Sequence, residues 1–128
     1  IPYYGCDGWD GIIKQLNGDT KNIEGATYLT PFVATDTSEK VQAFVNTYKE
    51  KYNAEPDQFA ADGYDAVYAI KAAIEKAGDD TSNEALVSAM TQISVNGLTG
   101  DMTFDENGEP NKSAKVVVIK DGQYVAQN

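Results

Sequence analysis

Two carboxylates, Asp7 and Asp10, stand in the stretch Gly5-Cys6-Asp7-Gly8-Trp9-Asp10-Gly11, framed by three glycines and beside the chain's only tryptophan. The chemistry open to them is set by what the rest of the sequence lacks. All ten cationic side chains are Lys, and there is neither Arg nor His. Without His the chain has no usual general base near neutral pH, no Ser-His or Cys-His nucleophile pair and no commonest metal ligand. A carboxylate with no base, metal ligand or Arg beside it suits holding a cation better than making and breaking bonds, and aromatic side chains can wall the rest of a pocket. A small ligand with an ammonium group is the natural complement. The competing reading is structural: Asp7 or Asp10 caps the helix that begins at Ile12 by accepting hydrogen bonds from its free N–H groups. Composition and spacing leave the two readings open.

The elements that position this loop follow from pattern. The run Ile1-Pro2-Tyr3-Tyr4 leads into the glycines as a strand, and Ile12, Ile13 and Leu16 share one face of a short helix over 11–16 that Asn17-Gly18 ends. Ala26–Thr30 has the β-branched and aromatic content of a strand and stops at Pro31. Strand, helix and strand make a βαβ unit with a short crossover, and loops at the carboxyl ends of such strands are where ligands usually bind.

Further on, Ser38 is a good N-cap for a helix to about Asn53, with Val41, Phe44, Val45 and Tyr48 as its buried stripe. Asp57 opens a longer helix from Gln58 to Ala77, stopped by Gly78. Its Phe59, Tyr64, Val67, Ile70, Ile74 and Ala77 follow helical spacing, which predicts that these residues face inward on a largely buried helix. A third helix is expected over 83–92. Asp105-Glu106-Asn107-Gly108 and Asp121-Gly122 lie between strand-like runs and predict two consecutive antiparallel turns, the second within a C-terminal β-hairpin. The fold class is therefore α/β.

Composition excludes several functions. At 128 residues the chain is long enough for a globular core, and its net charge of -10 repels phosphate backbones, so nucleic acid is not an expected partner. No apolar run approaches the roughly 20 residues that cross a bilayer as a helix. Cys6, the only cysteine, is expected to be a small buried hydrophobe. Asp62 and Asp65 could pair as an acid/base couple but are expected on a solvated helix face. Asp105–Glu109 lacks the alternating ligands of a calcium loop and reads as a turn. The glycines at 5, 8 and 11 do not have dinucleotide-loop spacing, and no phosphate-binding lysine loop is present. No catalytic group, metal or cofactor is expected.

The chain resembles the C-terminal part of type I periplasmic binding proteins, in particular the branched-chain amino-acid (Leu/Ile/Val) branch serving ABC transporters. Gly5-Cys6-Asp7-Gly8-Trp9-Asp10 carries the resemblance, with Val41–Val45, Tyr48–Tyr52, Pro56–Ala61 and Gly63–Tyr68. Gly97–Gly100, Thr103–Gly108 and Lys120–Gly122 continue it in order over essentially the whole chain.

The resemblance implies a clamp of two Rossmann-like lobes, partial here, with an amino acid bound between them and a transporter permease as the parent protein's partner. The parent would be extracytoplasmic, in a periplasm or anchored to a cell surface, and not an enzyme. Asp7 matches the acidic position that holds the ligand's ammonium group, which leaves Asp10 as the cap. Phe59 matches a position at the cleft, and Trp9 and Tyr64 are implied by proximity. Residues 1–31 and 116–128 resemble parts of the second lobe, and 32–115 part of the first. Cys6 stands where a glycine is common. The family's chains are far longer, so this one resembles a C-terminal fragment, and its incomplete sheet is expected to expose edges and favour a swapped homo-oligomer or rearranged packing. A ligand-sensing domain of a receptor or regulator is the alternative function, and a carboxylate-based hydrolase a remote one.

Overall fold

A computed structural model describes residues 1–127; Asn128, the last residue of the expected 116–128 return, lies outside the described residues. In chain order the elements are β1 (Tyr4–Gly5), a 3-10 turn (Asp7–Trp9), α1 (Ile12–Gln15), β2 (Thr27–Thr30), α2 (Glu39–Tyr52) and α3 (Gln58–Ala77). They continue with α4 (Asn83–Met90), β3 (Ser94–Asn96), β4 (Asp101–Thr103), β5 (Lys115–Lys120) and β6 (Gln123–Gln127). Two compact units result: Ile1–Phe59 together with the chain from Ala114 onward, and Ala60–Ser113.

The first unit is built on a four-stranded sheet in the order β1-β2-β5-β6. β1 and β2 are parallel, as the βαβ reading requires, and β5 runs antiparallel to both β2 and β6. The β5–β6 hairpin turns at Asp121-Gly122, where both residues have positive φ (52° and 75°), the conformation that a two-residue hairpin turn demands. Val117 and Ile119 alternate inward on β5 and are fully buried. Tyr28, Val33 and Val117 form the core, with Trp9 and Tyr124 packed against it. The edges among the described residues are β6 and the two-residue β1, where Tyr4 and the preceding Tyr3 are exposed.

α2 is flanked by Ser38 at its N-cap and Asn53 at its C-cap, the latter in the left-handed conformation of a C-terminal stop. Ser38 offers no side-chain cap; instead the Asp36 carboxylate accepts the Ser38 N–H at 2.8 Å, and Gln42 Nε2 donates to the Asp36 carbonyl at 2.6 Å. Lys115 on β5 pairs with the same carboxylate. The Lys115 hydrogen bond, with the Ser38 N–H after it, holds the Asp36 carboxyl down to about 2.

A carboxyl depressed in this way stabilises the fold above the ordinary carboxylate pKa, and that contribution is lost as pH falls from about 4 towards 2. Lys115→Met should cost about 1 kcal/mol near neutral pH, allowing for solvent screening, and much less at pH 2.5. Urea midpoints at the two pH values check this, and equal losses at both would contradict it.

The second unit packs α3, α4 and the β3–β4 hairpin around Ala69, Ala73, Ala89, Ile93, Val95 and Met102. Here two expectations are corrected. The buried face of α3 is Ala61, Asp65, Ala69 and Ala73, spaced four residues apart, while Phe59, Tyr64, Val67, Ile70 and Ile74 are exposed. Small side chains at i, i+4 spacing let other elements approach this face closely, so the narrow face is the buried one. Asp65, expected on a solvated face, is only 3% exposed. Its carboxylate accepts the Leu98 N–H at 2.8 Å, the Thr99 N–H at 2.8 Å and the Thr99 hydroxyl at 2.7 Å. Asp62 does remain near solvent and pairs with Lys112 at 3.0 Å.

The loop held by Asp65 has Gly97 at its start, where a Cβ would lie 2.5 Å from Asp65 Oδ2 and 2.8 Å from the Gly100 carbonyl oxygen, so no side chain fits. This Gly97–Gly100 loop joins β3 to β4, with Val95 paired to Met102. The Asp105–Gly108 turn is present, its Asp105 carboxylate accepting the Asn107 and Glu109 N–H groups, but it closes only a single bridge, Phe104 to Pro110. The strand pairing expected across this turn is therefore not formed: β4 pairs with β3, a strand the pattern does not predict, and β5 pairs with β2 and β6.

Candidate functional site

The loop between β1 and α1 is a single tight turn. Trp9 N donates to the Cys6 carbonyl at 3.0 Å and Asp10 N to the Asp7 carbonyl at 2.9 Å, which closes the 3-10 turn over Asp7–Trp9. Trp9 lays its ring across Gly5, where a Cβ would sit 2.6 Å from ring atoms, and packs against the Tyr28, Val33 and Val117 core. The ring therefore fastens the loop to the sheet, and the glycine makes room for it. The Asp7 side chain is exposed. Cys6, in extended conformation at the entry to this turn, is exposed as well, against the expectation that it is buried.

Asp10 has a different task from the one expected. Helix α1 starts at Gly11 with φ 83° and no side-chain cap, so Asp10 does not cap it. Its Oδ1 accepts the adjacent Gly11 N–H at 3.1 Å, and its Oδ2 accepts the N–H of Gln58, the first residue of α3, at 2.6 Å. Burial pushes the Asp10 carboxyl above its ordinary range, opposed by those backbone donors. Tyr28 and Tyr124, also partly desolvated, have hydroxyls raised above the usual tyrosine range.

Gln58 completes the arrangement. Its side chain is fully buried. Oε1 accepts the Thr30 hydroxyl at 2.8 Å, and Nε2 donates to the Asp7 carbonyl at 3.2 Å. Together with the bond from its own N–H to Asp10, these contacts stitch both ends of the Asp7–Trp9 turn and the end of β2 to the start of α3. Sequence reasoning passed over Gln58, since a single amide at a helix start carries no spacing signal.

A cavity of about 590 Å³ also opens in this unit, with Asp10, Ile13, Tyr28, Phe32 and Tyr124 in its walls. Neither Asp7, Trp9 nor Phe59 lines it. Its charged lining is Asp10, Glu55, Asp57 and Lys14; both Asp10 oxygens are already bonded to backbone N–H groups, and the exposed Asp7 carboxylate is not part of it. No helix among the described residues is long and apolar enough to cross a membrane.

A family model described as periplasmic binding protein matches residues 1–123. The chain belongs to this family. Solved structures superpose on it over nearly its whole length. The leucine binding protein LivK of Thermotoga maritima MSB8 is 32% identical with a TM-score of 0.82, covering 99% of this chain and 36% of its own. LivJ of Streptococcus pneumoniae str. Canada MDR_19A, a branched-chain amino acid transporter substrate binding protein in complex with isoleucine, is 27% identical with a TM-score of 0.80, covering 98% and 36%. An ABC transporter solute binding protein from R. palustris in complex with benzoate is 25% identical with a TM-score of 0.83, covering 100% and 35%. The fold is that of type I periplasmic binding proteins, and the chain spans about a third of the length of these relatives.

Of the four residues singled out for the family's ligand, Asp7, Trp9 and Phe59 lie in the first compact unit and Tyr64 in the second. Phe59 is 56% exposed. It follows Gln58, whose N–H and side chain are bonded to Asp10 and to the Asp7 carbonyl. Tyr64 is partly exposed and shares a hydroxyl–hydroxyl bond of 3.3 Å with Tyr68, their rings 4.8 Å apart.

Proposed function

We propose that the full-length protein carrying this chain is an extracytoplasmic solute-binding protein that captures an amino acid for an ABC transporter. In this reading Asp7 pairs with the ligand's ammonium group, Phe59 and Trp9 wall its apolar part, and Tyr64 contributes from further along α3. The observation that carries it is the exposed Asp7 carboxylate on a turn fixed from both sides, by Trp9 against Gly5 and by Gln58. Among the described residues no lysine forms an ion pair with Asp7, and an anion already held in place favours a ligand cation. No acid/base pair accompanies it, which favours binding over catalysis.

Titration calorimetry on the full-length protein with L-leucine, L-isoleucine and L-valine tests the reading, with Asp7→Ala as the paired variant. Benzoate in the R. palustris relative favours a second reading, an aromatic carboxylate as solute. Benzoate has no ammonium group, so it belongs in the same titration, and its binding with amino acids silent would select that reading.

On the family's clamp, residues 1–31 and 116–128 would contribute to one lobe and 32–115 to the other, with a transporter permease as partner. For the isolated chain we infer self-association through the β1 edge, next to which Tyr3 is 50% and Tyr4 76% exposed. Light scattering should then show mass rising with concentration, and a strict monomer at millimolar concentration would refute it.

A further inference from the structure

The cavity of about 590 Å³ that leaves out Asp7 has the volume of a small-molecule site and a chemistry of its own. Tyr28, Phe32 and Tyr124 wall it, and the Tyr28 and Tyr124 rings stand at 80° with centroids 6.1 Å apart, so two aromatic surfaces meet at a corner. Asp10 and Asp57 belong to the same lining. Burial chiefly, and the charge of Asp57 as well, push the Asp10 carboxyl up, so the two carboxylates repel each other within this wall. Each Asp10 oxygen accepts one backbone N–H and retains capacity for a second donor. With Glu55 paired to Lys49 at 2.8 Å, the other carboxylates of the lining outnumber its one ammonium, that of the exposed Lys14. Among the described residues no group of three or more acidic, Cys or His side chains could hold a metal ion. Carboxylates beside aromatic faces suit an organic cation instead.

We propose that this cavity is a second binding site, for a small organic cation of the arylalkylammonium class, and that its occupancy modulates capture of the solute. The ammonium group sits against Asp10 and Asp57 beside the tyrosine rings, and the apolar body against Ile13 and Phe32. All of these residues belong to the first compact unit. On the clamp proposed above, Asp10, Tyr28 and Tyr124 go with one lobe and Phe32 and Asp57 with the other. The cavity therefore keeps this shape in one arrangement of the lobes only, and a cation that fills it favours that arrangement. Solute and cation then change each other's affinity by the same factor. The modulation rests on the clamp reading; the site does not.

The test titrates the full-length protein with 2-phenylethylammonium by calorimetry, without solute and at saturating L-leucine or, where leucine is silent, benzoate. Without solute a Kd below about 1 mM is expected for a ligand of this size. Asp57→Asn should weaken binding at least about 5-fold by removing one carboxylate charge, and Ile13→Trp, which fills the cavity, should abolish it. Asp57 is exposed, so Asp57→Asn keeps the test decisive if Ile13→Trp does not fold. Asp7→Ala should leave cation affinity within about 2-fold, as expected for an independent site. Absence of binding, as when the rest of the full-length chain occupies the cavity, overturns the site, and so does a loss on Asp7→Ala with none on Asp57→Asn. For the modulation, cation affinity should differ at least about 3-fold between solute-free and solute-saturated protein, and equal affinities overturn it. If neither solute binds, the clamp reading fails and the modulation with it, while Asp57→Asn and Ile13→Trp still decide the site.

Discussion

Asp65→Ala is expected to lose about 4 kcal/mol of folding stability. Three donors converge on a carboxylate that is 3% exposed: the N–H groups of Leu98 and Thr99 and the Thr99 hydroxyl, at 2.7 to 2.8 Å. Alanine leaves all three without a partner in a buried loop, and each such group costs about 1–3 kcal/mol. Asp65→Asn keeps one acceptor oxygen and should lose about half as much. The total stability of a domain this size is about 5–15 kcal/mol, so Asp65→Ala brings the fold near its limit. Urea denaturation reads the change, and a loss under 1 kcal/mol for Asp65→Ala would show that water or loop movement replaces the carboxylate.

Asp7→Ala should behave in the opposite way, leaving the fold alone and removing affinity. Its side chain is exposed, and the turn is held through the Asp7 backbone carbonyl, which alanine retains. Stability should therefore change by no more than about 0.5 kcal/mol. Affinity for an amino acid should fall by about 2–3 kcal/mol, or roughly 30- to 150-fold, the worth of a charge-assisted hydrogen bond shielded from solvent in the closed site. Asp7→Asn keeps an acceptor but no charge and should fall between. Parallel thermal unfolding and calorimetry separate the two effects, and a variant that loses stability in proportion to affinity would place Asp7 in the fold instead of the site.

The helices α2 and α3, the β1–α1–β2 order and the β5–β6 hairpin were all legible, because capping residues, Gly78, Pro31 and Asp121-Gly122 act locally. What pattern could not give was set by distant neighbours. Large apolar residues ordinarily mark a helix's buried stripe, since burial free energy grows with area. In α3 the close approach of the second unit's core selects the alanines instead, leaving Val67 and Ile70 more than half exposed. Asp65 finds its donors 33 and 34 residues away, and Gln58 finds Thr30 at 28 and Asp7 at 51, separations at which no periodicity speaks. Asp10 does not cap the adjacent helix α1; its carboxylate accepts instead the first N–H of α3, from Gln58, 48 residues on. Residue type leaves Asp7 and Asp10 open between anchor and cap and only the family resemblance singles out Asp7, while the contacts that hold its turn come from Trp9 and from Gln58, 51 residues on.

The most direct test of the account compares L-leucine with 4-methylpentanoate, the same skeleton without its ammonium group, by calorimetry on the full-length protein and its Asp7→Ala variant. The account predicts that the unaltered protein prefers leucine by at least about 30-fold and that Asp7→Ala brings the two affinities together. A variant that keeps the full preference for leucine would contradict the assignment of Asp7 as the ammonium anchor.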